Sequence, residues 1–247
     1  MNLNDINYIQ YGNNKGVDML LLHGWGVDMS TMRSIGDAFK NDFHITLIDL
    51  PGFGKSKEPP VAYKINDYAD IIKKLADRLG IDNPVLMGHS FGGRIAINYA
   101  SKYRVRKLVL FSTPFMATTS RSIRTKILKQ MKKIPVLSKL EGWAKDRIGS
   151  SDYRKATPLM KDVLVSAIET DLSDDAKKID VPTIMIWGSK DTATTVEEGR
   201  KLEALIKNSA LVVYYRKTHY AFLQDVTRTI NILDRFLDDE RRDNYEI

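Results

Sequence analysis

The chain has 247 residues, enough for one α/β domain with a full core and an inserted subdomain. Its composition, 43% hydrophobic and 28% charged, is that of a globular protein, and no window approaches the ~20 consecutive apolar residues of a membrane-spanning helix. The absence of cysteine excludes disulfides, thiolate metal sites and a cysteine nucleophile, and the net charge of +7 makes the location of the basic residues matter.

Met1-Asn2-Leu3-Asn4-Asp5 lacks the basic-then-apolar pattern of a secretory signal, so a cytoplasmic setting is expected. Residues 6–11 alternate in polarity and end at Gly12-Asn13-Asn14, which predicts an edge strand and a turn. Met19-Leu20-Leu21-Leu22 is a continuous apolar run, expected of a strand buried on both faces, and it leads directly into His23-Gly24-Trp25-Gly26. A helix is predicted over residues 29–40 and a strand over 43–48. The glycine-rich loop Asp49-Leu50-Pro51-Gly52-Phe53-Gly54-Lys55-Ser56 comes next. Tyr68, Ile71, Ile72, Leu75 and Leu79 recur at helical spacing, and Gly80 ends that helix.

Residues 84–87 read as a buried strand, Gly88-His89-Ser90-Phe91-Gly92-Gly93 follows, and residues 94–100 have helical composition. Residues 105–111 read as a further strand. Between Pro114 and Lys178 the strand–helix alternation stops, and two to four helices are expected, over 120–134, 138–147, 157–170 and 173–178. Strands at 181–187 and 210–215 resume the sheet, with a helix near 195–207 between them. A last helix over 222–238 buries Phe222, Val226, Ile230, Leu233 and Phe236. The expected architecture is an α/β, αβα sandwich with a mostly parallel sheet, its core formed by 1–113 and 179–247 and interrupted by a helical cap over 114–178.

Gly88-x-Ser90-x-Gly92 between a strand and a helix is the pattern of a nucleophile elbow. The turn is so tight that the serine takes a strained conformation, while side chains two residues to either side would meet neighbouring backbone. It also leaves the Phe91 amide free at a helix N-terminus, where it can donate to developing negative charge.

A serine hydroxyl needs a base, and the base needs an acid to fix its tautomer. Of four histidines, His23 lies in the HGWG stretch, His89 should point away from Ser90 Oγ, and His44 starts a strand. His219 follows the last strand, at the same sheet edge as the elbow, and is the candidate base. Asp191, after the penultimate strand, is the candidate acid, with Asp49 and Asp225 weaker alternatives. Taken singly, Asp191 is as readily a turn-former and His219 a helix cap; three such groups in this order on three strand ends argue for chemistry. The second amide for an oxyanion falls to Trp25, whose flanking Gly24 and Gly26 allow close approach of backbone. The Trp25 ring either lines the substrate pocket or packs on its loop, and Phe115 is expected to join it in the pocket. Neither metal nor cofactor is called for.

Together these stretches, with Gly188-Ser189-Lys190-Asp191 and His219-x-x-x-x-x-Asp225, resemble the α/β-hydrolase superfamily over nearly the whole chain. The resemblance implies a carboxylic ester hydrolase with a Ser90–His219–Asp191 triad, acting on a small-molecule ester. It also implies that 114–178 roofs the active site. From Arg121 to Arg147 there are nine Lys or Arg against two Asp or Glu, a surplus equal to the whole net charge of +7. Arg121, Arg124, Lys129, Lys132 and Lys133 then form either a solvated basic face or a dock for an acidic partner. The HGWG loop and basic cap are similar to the pimeloyl-acyl-carrier-protein methyl ester esterases, which points to an acidic acyl carrier protein. No nucleic-acid recognition motif is present. The competing expectation is a lyase or C–C bond hydrolase with the same triad, as in relatives that make a menaquinone precursor. There Arg124, Arg147 and Arg154 would bind the carboxylates of the substrate.

Overall fold

The computed structural model describes residues 1–118 and 156–242. The expected helices over 120–134 and 138–147, and the basic residues Arg121, Arg124, Lys129, Lys132, Lys133, Arg147 and Arg154, lie outside the described residues.

Among the described residues the strands form one sheet in the order β1-β3-β2-β4-β5-β6-β7. They are β1 (Tyr8–Gly12), β2 (Asp18–Leu22), β3 (His44–Ile48), β4 (Val85–His89), β5 (Lys107–Phe111), β6 (Thr183–Gly188) and β7 (Ser209–Tyr214). Only β1, at one edge, is antiparallel. The short apolar runs seen in the sequence follow from this arrangement. Alternate residues of each central strand serve opposite faces, so Leu20, Leu22 and Leu86 enter one core and Met19, Leu21 and Met87 the other.

The first core lies under α2 (Ile65–Arg78) and α3 (Phe91–Ala100), which pack on each other. The second lies under α1 (Arg33–Phe39) and the C-terminal helices. From residue 156 onward come α4 (Pro158–Glu169), the single turn α5 (Ser173–Ala176) and, between β6 and β7, α6 (Val196–Leu205). Gly80, at φ +72°, follows α2 in the left-handed conformation expected of a helix-ending glycine.

Two helices differ from expectation. The stretch beginning at 29 opens as a 3-10 turn, Met29–Met32, because Asp28 and Asp49 carboxylates take the Ser30 and Met29 amides before α1 starts. The C-terminal helix is split into α7 (Ala221–Gln224), α8 (Val226–Phe236) and α9 (Asp238–Arg242). The first break is at Asp225, at φ −145° and ψ 62°, so Asp225 caps rather than continues a helix. Within α8 the fully buried apolar side chain is Leu233, while Val226, Ile230 and Phe236 are half-buried.

β2 sits centrally, with β3 on one side and β4 on the other, so the chain reverses its direction of travel across the sheet between β2 and β4. Crevices outside the carboxyl ends of strands at such a reversal are where open α/β sheets bind ligands. The loops after β2, β4, β5, β6 and β7 all emerge at that edge.

Candidate active site

Ser90 stands between β4 and α3 at φ 51° and ψ −108°, a conformation an L-residue adopts only under strain. The surrounding contacts impose it. A Cβ on Gly88 would lie 2.6 Å from the Gly92 carbonyl oxygen, and one on Gly92 would lie 2.4 Å from that of His23. The helix therefore starts hard against the loop after β2, with the Phe91 amide in its first turn. Trp25 belongs to that loop. Its ring meets Phe91 edge-on at 5.3 Å and Phe53 at 4.8 Å, so the two residues expected to supply amides are neighbours.

His23, wholly buried, ties the same loop to the next one. Its Nδ1–H donates to the Gly24 carbonyl at 2.7 Å, and its Nε2 accepts from the Leu50 amide at 3.0 Å. Burial holds its pKa below the ordinary histidine range and so keeps it neutral. Asp49 organises the glycine-rich loop, accepting from Asn7 Nδ2 and from the Met29 and Lys55 amides at 2.7–2.9 Å.

Asp191, in the turn after β6, is buried to its side-chain tip. Oδ1 accepts from the Ala193 and Thr194 amides at 2.9 and 3.0 Å. Oδ2 accepts from Thr194 Oγ1 and from His219 Nδ1, both at 2.8 Å. Burial by itself would raise this carboxyl, but the His219 charge and the hydrogen bonds from His219 and Thr194 hold it below the usual carboxylate range. His219 follows β7 in a loop closed by reciprocal bonds between Thr218 and Gln224, 2.8 Å from amide to Oε1 and 3.0 Å from Nε2 to Oγ1. With Nδ1–H given to Asp191, the lone pair of His219 sits on Nε2.

Ser90, Asp191 and His219 line one cavity of about 480 Å³, with Trp25 and Phe91 in its wall. Among the described residues no hydrogen bond joins Ser90 Oγ to His219. One wall is apolar, made by Leu164, Ala167 and Ile168 of α4. Phe115 differs from expectation: it is buried in the core, and Pro114, Met116 and Thr118 line the cavity in its place. The backbone pairing explains this. The Leu172 amide donates to the Phe115 carbonyl and the Thr118 amide to that of Ile168, each at 2.8 Å, which anchors the segment on both sides of Met116 while the Phe115 side chain enters the core.

Two wall residues carry no signature readable from the sequence. Thr194 is a plain threonine three residues past an aspartate, a spacing shared with any Asx turn. Arg94, one turn into α3, is 3% exposed yet lines the cavity. Its Nη1 donates to the Pro114 carbonyl at 3.0 Å and its Nη2 to that of Thr170, while Nε has no partner among the described residues. Burial lowers its pKa to about 10, leaving it charged at neutral pH, with no carboxylate within ion-pair distance among the described residues. No cluster of three or more His, Asp or Glu side chains among the described residues is placed to hold a metal ion.

A family model described as the alpha/beta hydrolase fold matches residues 19–135. An esterase from Exiguobacterium antarcticum superposes with a TM-score of 0.80, at 20% identity, over 94% of this chain and 95% of that one. The fold is that of the α/β-hydrolases. Among sequence relatives, the AB hydrolase superfamily protein YisY of Bacillus subtilis is 25% identical, covering 90% of this chain and 91% of its own. The pimeloyl-[acyl-carrier protein] methyl ester esterase of Vibrio cholerae is also 25% identical, covering 85% and 90%. The chain thus resembles esterase-named proteins along most of its length, at low identity. Among the described residues no helix is long and apolar enough to cross a membrane.

Proposed function

We propose that this protein is an α/β-hydrolase acting as a carboxylic ester hydrolase through an acyl-enzyme on Ser90. The observation that carries the reading is the 2.8 Å bond from His219 Nδ1 to Asp191 Oδ2, made in the cavity that Ser90 lines. Asp191 fixes the tautomer, so Nε2 takes the proton from Ser90 Oγ as the oxygen attacks the ester carbonyl. The Phe91 and Trp25 amides donate to the oxyanion. The proton then passes from His219 to the departing alcohol, and water, activated by the same imidazole, releases the acid. Substrate binding tightens the serine–histidine contact, as is common where the unliganded geometry is loose. The cysteine-free chain fits a cytoplasmic setting.

Residues 114–178 would roof this site as a cap, and its basic residues would dock an acidic acyl carrier protein. The resemblance to the pimeloyl-[acyl-carrier protein] methyl ester esterases supports that partner. Purified protein should hydrolyse short acyl p-nitrophenyl esters and react with a fluorophosphonate probe, and Ser90→Ala should lose both. Undiminished turnover by Ser90→Ala overturns the assignment. If a carrier protein docks on the cap, added salt raises KM for a carrier-linked ester far more than for the free ester; equal salt effects remove the partner.

Arg94 favours a second reading, in which the same triad serves a lyase or C–C bond hydrolase. A buried guanidinium lining the cavity, without a carboxylate partner among the described residues, suits a carboxylated metabolite. A substrate panel with elimination or C–C cleavage but no ester turnover would decide for it.

A further inference from the structure

His89 takes no part in the chemistry just described, yet its ring touches the parts that do. It is the last residue of β4, and strand alternation turns it to the face opposite Gly88, under the C-terminal segments. The ring is wholly buried, with centroids 5.0 Å from His219, 4.8 Å from Tyr220 and 5.0 Å from Phe222. Its Nε2–H donates to the main-chain oxygen of His219 at 3.2 Å. On the other side, Nδ1 faces Gly24, where a Cβ would come within 2.7 Å of it, and among the described residues Nδ1 has no hydrogen-bond partner. Burial first, and then the His219 charge, push the imidazole well below the ordinary histidine range, so it carries a single N–H.

The sheet itself does not fix the spacing that matters here. β4 and β7 are separated by β5 and β6, so no ladder hydrogen bond joins the strand that ends at Ser90 to the strand that leads to His219. An apolar ring of the same size would fill the space without leaving a buried nitrogen unsatisfied; what histidine adds is the Nε2 donor. We propose that His89 is a positioning residue, a brace that holds the His219 main chain and the Gly24 loop at a set distance on either side of Ser90. The proposal rests on the reading of Ser90 and His219 as the reacting pair.

The test compares His89→Phe, which keeps a ring without a donor, with His89→Gln, whose amide reaches the Nε2 position, and His89→Asn, whose shorter amide does not. Ester turnover, fluorophosphonate labelling and thermal melting are measured for each, with Ser90→Ala as control. Loss of the brace should lower kcat and the labelling rate of His89→Phe by roughly 10–100-fold with KM changed by less than about twofold, because small displacements of reacting groups cost that much. His89→Gln should recover most of the rate and His89→Asn should not; this pair decides the matter if the Phe variant melts early. A kcat for His89→Phe within about twofold of the parent, equal losses in Gln and Asn, or a KM that rises in step with the fall in kcat would overturn the brace. Turnover surviving Ser90→Ala takes down the ester-hydrolase reading and the brace with it. Its loss there, beside an unaffected His89→Phe, takes down the brace alone.

Discussion

His219 Nδ1 donates to Asp191 Oδ2 over 2.8 Å, and Thr194 places a second donor, its Oγ1, on the same oxygen at the same distance. The carboxylate thus keeps a partner from its own turn while it orients the imidazole.

Asp191→Asn should leave the fold intact and lower kcat by about 10⁴-fold, because an amide no longer fixes the tautomer that puts the lone pair on Nε2. Thr194→Val should cost less, about tenfold, since it removes one hydrogen bond to a charged group worth about 1.5–3 kcal/mol, only part of which is expressed in the rate. Steady-state kinetics on one ester check both, and a Thr194→Val loss as large as that of Asp191→Asn would contradict this division.

The strain at Ser90 predicts a stability difference between two substitutions of that residue. Glycine tolerates φ 51° and ψ −108°, whereas alanine keeps the Cβ that resists it. Ser90→Gly should therefore melt above Ser90→Ala by about 2–4 °C, corresponding to about 1 kcal/mol in a chain of this size. Calorimetry on the two proteins measures it directly.

Acid should destabilise the protein well before its carboxylates titrate. His23 and His89 are held below the ordinary range by burial, so as pH falls below about 6.5 the unfolded chain takes up protons that the folded one refuses. Stability is full above that pH and falls beneath it, by about 1.4 kcal/mol per pH unit for each imidazole. Asp191, whose carboxyl is depressed, adds a later loss: its contribution is present above about 3.9 and disappears as pH drops through its lower folded value. Urea unfolding between pH 8 and 5 tests the first step, and a flat profile there would mean that both rings charge without cost.

Arg94→Met should remove the donors to the Pro114 and Thr170 carbonyls and cost about 1–3 kcal/mol. Limited proteolysis should then cut faster near residues 114 and 170. On a series of paired substrates, a KM rise confined to carboxylated members would support the second functional reading, while an equal effect on neutral esters would reduce Arg94 to a fastening of the chain.

The central strands were legible because both of their faces are buried in the parallel sheet, which writes Met19–Leu22 and Val85–Met87 as unbroken apolar runs. The elbow was legible because backbone collisions at Gly88 and Gly92 admit only glycine. Side-chain direction was not legible wherever it depended on pairing with a distant segment. Phe115 turned inward once its backbone paired with Leu172, and Arg94 found its acceptors at Pro114 and Thr170. The last helix broke at Asp225 although its apolar spacing ran on without interruption, since periodicity records which face is buried and not where the backbone bends.

The chain leaves the sheet after β5 and re-enters beside its own exit, stitched by the Phe115–Leu172 and Thr118–Ile168 bonds. Whatever number of residues lies between those stitches, the sheet sees the same two anchor points, and lengthening the excursion adds closure entropy only logarithmically. That stretch can therefore change in length, or be exchanged as one contiguous unit, without altering how β5 and β6 pair.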